Sequence, residues 1–288
     1  MKAAIIVDST ACLDEAFARH ADIYEIPLTV HFADGTDLID SSNSEVHREF
    51  YQRLVKEEQL PTTSQPQPGA YYELLDELVA KGYDTVFCIH LSSAISGTFQ
   101  TSKMITDEYQ DKLTIYCVDS KSSSVIMEQM VIQAAAAIDN QLPAETIYEQ
   151  LLYMASESVV YLMVEDLKNL VKGGRLSSTS AFLGGMLQIR PLLYIDNDGK
   201  IVLFEKIRTS KKVYRRWQEL IADALENYPK GVRVAFAHAD AGEEIAEIKA
   251  EFEQLFPQVS FHVAGLSPVI GAHTGRGAKG MGIIPIVD

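Results

Sequence analysis

Apolar and polar positions alternate along this chain in blocks that switch between two periods. Ala3–Val7 is a short unbroken apolar run ended by Asp8-Ser9-Thr10, and Thr85–Leu91 and Leu113–Val118 are two more such runs. Apolar stretches of this length predict strands, and Thr85–Leu91 reads as a buried one. A shorter strand is expected from Ile26-Pro27-Leu28 toward His31. Between them lie stretches with one apolar face, Glu45–Lys56, Tyr71–Lys81 with Gly82 as its stop, and Thr98–Tyr109, which predict helices. Strands that alternate with helices argue for βαβ units and a mostly parallel sheet.

A helical zone runs from about Val125 to Ala155, interrupted at Pro143, and a domain boundary is placed there, giving 1–155 and 156–288. The second part starts with a strand at Val159–Val164. It continues through a Lys172-Gly173-Gly174-Arg175 loop and a helix from Ser178 to Leu187. Leu192–Ile195 and Ile201–Glu205, joined by Asp196-Asn197-Asp198-Gly199-Lys200, read as a β-hairpin. Helices Lys211–Asn227 and Gly242–Leu255, strands Val232–His238 and Val259–Ala264, a glycine-rich loop and a last strand at Ile283–Val287 complete it. The expected fold is therefore α/β throughout: two α/β domains, mostly parallel sheet in the first and mixed sheet in the second. No internal repeat or low-complexity tract stands out.

Composition narrows the function. The 288 residues are 47% hydrophobic and 23% charged, which is ordinary for a packed globular chain, and the formal net charge is −15. An acidic chain of this kind is a poor nucleic-acid binder, because phosphate binding rests on clustered Lys and Arg. The apolar N-terminal run is too short for a signal segment, and no stretch approaches bilayer-spanning length. Three cysteines without a C-x-x-C spacing read as buried free thiols in a reducing cytoplasm, with no metal site.

Two hydroxyl-rich patches carry the candidate chemistry, Pro61-Thr62-Thr63-Ser64-Gln65-Pro66 and Ser92-Ser93-Ala94-Ile95-Ser96-Gly97-Thr98. The prolines hold the first as a loop. The second sits at a strand-to-helix turn, where unpaired N–H groups favour an anion, although Ser96 there also fits a plain N-cap. Gly173-Gly174-Arg175 can aim a guanidinium inward to grip a carboxylate, and an isolated motif of this kind also fits a surface turn. Gly275–Gly280 is a literal G-x-G-x-x-G, but it lacks the following helix and acidic residue of a dinucleotide site. Its loop presents His273. Ser96 with His273 keeps an acyl hydrolase in view, and Asp8, Asp119 or His273 a phosphotransfer enzyme.

In order and spacing, Val7-Asp8-Ser9-Thr10, Ile26-Pro27-Leu28, Thr62-Thr63-Ser64-Gln65-Pro66, Ser92-Ser93 with Ser96-Gly97-Thr98, Gly173-Gly174-Arg175-Leu176-Ser177 and Ile270-Gly271-Ala272-His273 resemble the motifs of the DegV family over residues 3–286. The resemblance implies a two-domain protein that binds one long-chain fatty acid in a tunnel and takes no other cofactor. Such a protein presents the acid to a separate ATP-dependent fatty acid kinase, and the acyl phosphate then passes to an acyltransferase of phospholipid synthesis. It implies carboxylate binding by Thr63 and Ser96, supported by Arg175 and His273, with the Gly97 N–H as a further donor; Arg175 and a protonated His273 are expected to supply local positive charge. Phe182, Leu183, Met186, Leu187, Ile189 and Ile270 are nominated for the tunnel wall, and Gly184-Gly185 for close packing there. A cytoplasmic monomer with at most transient membrane contact is expected.

Overall fold

A computed structural model describes residues 1–14, 17, 20–176 and 190–287. Its first sheet is wholly parallel, in the order β2-β1-β6-β7, from Ile23–Ile26, Ala3–Asp8, Thr85–His90 and Thr114–Asp119. Every residue of β1 and β6 is buried, as their unbroken apolar runs require. The second sheet is mixed, in the order β10-β9-β8-β13-β11-β12. These strands are Ile201–Ile207, Arg190–Ile195, Val159–Met163, Lys279–Pro285, Val232–His238 and Ser260–Gly265. Only β11 and β12 run parallel there.

The layers follow from which helix faces are apolar. Helices α2 (Pro68–Ala80) and α3 (Thr98–Thr106) cover the outer face of the first sheet, and α7 (Ser210–Asn227) and α8 (Gly242–Leu255) that of the second. Between the sheets lie α4 (Val125–Asp139) and α5 (Ala144–Glu157). Helix α4 touches β1 and β6 on one side and β11 and β13 on the other, so nearly all of its first turns are buried. That explains why its apolar residues encircle it rather than form a stripe. Its start packs on Gly282 of β13, where a Cβ would lie 2.9 Å from Ile126 and 3.1 Å from Val125.

Several elements differ from their sequence reading. The last strand, expected at Ile283–Val287, is Lys279–Pro285, so the end of the glycine-rich stretch is already strand. The strand expected across Ile26–His31 is two, β2 and β3 (Thr29–His31), because Pro27 has no N–H to continue the ladder. The Thr-Thr-Ser patch is no loop. Thr62–Ser64 forms a short strand, β5, antiparallel to β3, whose other neighbour is β4 (Asp37–Ile39). Prolines that forbid helix leave an extended segment free to pair. The stretch before Gly275 is not a loop either: Pro268–Thr274 is a helix, α9, with Ser267 as N-cap and Pro268 in its first turn. The helix expected at 178–187 lies outside the described residues. No helix among the described residues is long and apolar enough to cross a membrane.

Candidate functional site

Strand β5 and the turn before α3 are brought together by Gln65. Its amide donates to Thr101 Oγ1 at 2.6 Å, and its carbonyl occupies the space where a Cβ of Gly97 would be. A side chain at position 97 would displace the Gln65 amide from this place between the two hydroxyl patches. Ser96 Oγ lies 2.9 Å from Thr98 Oγ1 and accepts a hydrogen bond from the Thr98 N–H at 3.3 Å, while Gly97 holds the N-cap position of α3. Ser96 thus helps cap the helix, and it also lines a cavity with Thr63.

Helix α9 brings in His273. Asp40 anchors its start: one carboxylate oxygen accepts from Ser9 Oγ (2.7 Å) and Ser267 Oγ (2.9 Å), the other from the Val269 N–H (3.1 Å). Asp40 is 2% exposed, and burial pushes its carboxyl up to about 6. The side of α9 is fixed by Gly271, whose missing Cβ is replaced by the rings of Phe50 and Tyr51 from α1 (Ser44–Leu54). At the far end of α9, His273 Nε2 lies 2.8 Å from Thr63 Oγ1. Its Nδ1 packs onto Gly173, where any Cβ would overlap the ring. Gly173 follows α6 (Lys168–Lys172), and the next residue, Gly174, turns with φ +71° to deliver Arg175. Arg175 Nε donates to the Ile95 carbonyl (3.2 Å) and Nη1 to the Gly173 carbonyl (2.6 Å). Among the described residues these are the partners of two of its five N–H groups.

His273 is not a cation here. Burial first, and the neighbouring Arg175 second, push its pKa down to about 4, so the ring is neutral at pH 7. The expectation of a protonated histidine is corrected on that ground. A neutral ring whose Nε2–H donates to Thr63 Oγ1 leaves the Thr63 hydroxyl proton free to point into the cavity. The unfolded chain takes up the His273 proton near pH 6.5, well above the folded value. Stability from this group is therefore full above about pH 6.5 and erodes as pH falls toward 4, by up to about 3 kcal/mol. Thermal melts of the wild type and His273→Gln across that range should show the wild-type advantage shrinking on acidification; a constant difference would refute a neutral His273.

The cavity behind these four side chains has a volume of about 100 Å³ and lies in the central layer, where α4 begins. Its floor is Val160, Leu162, Ala237 and Gly280 of the second sheet, its hairpin wall Ile195 and Ile201, and its roof Leu91, Ile95 and Ile270. Of the nominated wall residues, Ile270 lines it, while Phe182, Leu183, Met186, Leu187 and Ile189 lie outside the described residues. The strand and hairpin residues were not singled out in the sequence, because each reads as plain core. The hairpin is tied to the Ser92–Ser96 turn: Ser92 Oγ donates to the Gly199 carbonyl (2.8 Å), and the Ser96 N–H donates to the Ser92 carbonyl (3.2 Å).

The geometry separates the rival chemistries. His273 Nε2 lies against Thr63 Oγ1 and not against Ser96, so the structure forms no Ser-His pair. Asp8 is buried, accepting from Thr10 and the Leu91 N–H beside His90, and Asp119 accepts from the Ser93 and Lys121 N–H groups. Both carboxylates hold loops. In the G-x-G-x-x-G stretch, Gly275 and Gly277 turn with positive φ while Gly280 is inside β13, so no phosphate turn precedes a helix. Among the described residues, no group of three or more His, Cys, Asp or Glu is placed to hold a metal ion.

A family model described as "Uncharacterised protein, DegV family" matches residues 2–286, and the chain belongs to that family. The protein DegV of Bacillus subtilis is 40% identical over 286 residues, 98% of each chain. Its crystal structure, that of a fatty acid binding protein, superposes with a TM-score of 0.87, covering 99% of this chain and all of that one. The fatty acid binding DegV family protein SAG1342 of Streptococcus agalactiae reaches a TM-score of 0.91 at 30% identity, with both chains covered in full. The Fatty Acid Kinase (Fak) B3 protein of Streptococcus pneumoniae, loaded with linoleic acid, shares the fold at a TM-score of 0.84 and 21% identity, over 99% of this chain and 100% of that one.

Proposed function

We propose that this DegV-family chain binds one long-chain fatty acid in the central cavity and presents its carboxylate to a separate ATP-dependent fatty acid kinase. The observation that carries the first half is the cavity itself, apolar along floor and walls and capped by Thr63, Ser96, Arg175 and His273. A C16 tail of about fourteen methylenes at ~0.8 kcal/mol each brings roughly 11 kcal/mol of gross burial, before ordering costs. The head must then be matched, because an unpaired buried carboxylate costs several kcal/mol. Hydroxyl donors from Thr63 and Ser96, with the guanidinium of Arg175, offset that cost, each at about 1.5–3 kcal/mol to a charged acceptor. The local cation weighs more in a chain whose net charge is −15. The B. subtilis and S. agalactiae relatives, fatty acid binding proteins by name, support the same reading.

The second half rests on the family resemblance and on what the site supplies. It offers donors for a carboxylate, whereas phosphoryl transfer needs a nucleotide, magnesium and a phosphate cradle, which the partner would bring. The chain then acts as a carrier, without turnover of its own, that hands acyl phosphate to phospholipid synthesis. Solvent extraction of the purified protein followed by mass spectrometry should release a long-chain fatty acid. Labelled ATP should label no lipid until a fatty acid kinase is added. Lipid-free protein indifferent to added palmitate or oleate would overturn the binding half; label transfer by the isolated chain would overturn the carrier half.

A further inference from the structure

Glycine inside a strand is costly, since it gives no side chain to pack and loses the most backbone freedom on folding. Strand β13 carries two on one face, Gly280 and Gly282. Gly282 has a packing reason: Ile126 and Val125, the first side chains of α4, fill the space its Cβ would take. Gly280 lies one pleat earlier, past the end of that helix. A Cβ there would meet nothing closer than 3.5 Å, with the Tyr161 carbonyl at 3.5 Å, Ala237 Cβ at 3.7 Å and Val160 Cγ2 at 3.8 Å. Its cross-strand partners are Ala237 and Leu162, and all three residues border the cavity. The φ of Gly280 is not among the positive values, so its backbone does not demand glycine.

The missing side chain therefore leaves a recess in the cavity floor that no atom of the described residues occupies, beside the small Ala237. The polar head-group residues come from other elements, β5, α9 and the turns before α3 and after α6, so the recess belongs to the tail. An extended saturated chain has an even width and gains nothing from one deep spot. A chain that bends at a cis double bond needs such a spot, since protein interiors otherwise pack without voids. Building on the fatty-acid reading, we infer that Gly280 is a specificity-determining residue whose recess accepts the bend of a cis-unsaturated acyl chain.

The test uses stearate, oleate and elaidate, of equal length, the last two differing only in the geometry of one double bond. Delipidated wild type and Gly280→Val are loaded from an equal mixture, and the bound acids are quantified by mass spectrometry. A methylene-sized misfit in an apolar pocket discriminates about 10- to 200-fold, so the oleate-to-elaidate ratio in Gly280→Val should fall at least threefold. A smaller fall, or a rise, overturns the assignment. Should the valine variant not fold, Gly280→Ala, whose methyl stands at ordinary contact distance from its neighbours, carries the test, with a twofold fall required. Gly282→Ala should melt at lower temperature and leave the ratio unchanged; a matching change in ratio there would also overturn it. Wild type that takes up none of the three acids refutes the binding reading, whereas uptake with an unchanged preference in the variant refutes Gly280 alone.

Discussion

Thr63→Val weakens fatty acid binding by roughly 10- to 150-fold while leaving the chain folded. The substitution keeps the shape of the side chain and deletes one hydroxyl. That hydroxyl lies 2.8 Å from His273 Nε2 and borders the cavity, and with the ring in its Nε2–H tautomer the Thr63 proton is free for an incoming carboxylate. A hydrogen bond to a charged acceptor is worth about 1.5–3 kcal/mol, which sets the expected range. Ser96→Ala should weaken binding comparably and also lower stability by about 0.5–2 kcal/mol, because the Thr98 N–H loses its acceptor. Competition with a fluorescent fatty acid, run well below the melting temperature, measures both variants. Undiminished retention of lipid by the double variant would remove Thr63 and Ser96 from the head-group site.

Asp40→Leu lowers the melting temperature by roughly 6–12 °C. It strands the Ser9 and Ser267 hydroxyls and the Val269 N–H, all buried, for a loss of about 3 kcal/mol, and a chain of this size shifts by about 2–4 °C per kcal/mol. Differential scanning calorimetry reads it; a shift under 2 °C would show that the anchor of α9 is dispensable. Asp40→Asn adds a signature in pH. The carboxyl of Asp40 is raised to about 6 by burial, against about 3.9 in the unfolded chain. Stability from its protonated form is complete below about pH 4 and lost as pH rises through 6, so the wild-type lead over Asp40→Asn grows on acidification. This slope runs opposite to that of His273, which lets the two groups be told apart in one set of melts.

Much of this architecture could be read from the chain because its central strands are apolar runs and its outer helices have one wet face. Strand β11 and helix α8 begin and end at the residues their periodicity indicates. The misreadings have local causes. Glycines at 271, 275 and 277 suggested a loop, yet Ser267-Pro268 is a helix-start signal, and Asp40 completes the cap from 227 residues away. Nothing in the Asp40-Ser41-Ser42 stretch marks that aspartate as buried, since its partners are remote in sequence. Thr63, Ser96, Arg175 and His273 were legible as ordered motifs, and the structure gathers them at one cavity. The floor was not legible, because Val160, Leu162 and Ala237 have the same composition whether they pack on protein or on a ligand.

The bond from Ser92 to the Gly199 carbonyl joins the greasy wall to the polar cap. Gly199 turns the hairpin with φ +79°, and its bare Cα sits against the Ser92 hydroxyl, so the two pieces dock without slack. One carbonyl of Ser92 then holds the Ser96 N–H. A displacement of the hairpin would therefore pull on that turn, so the apolar wall and the Ser96 backbone are mechanically coupled.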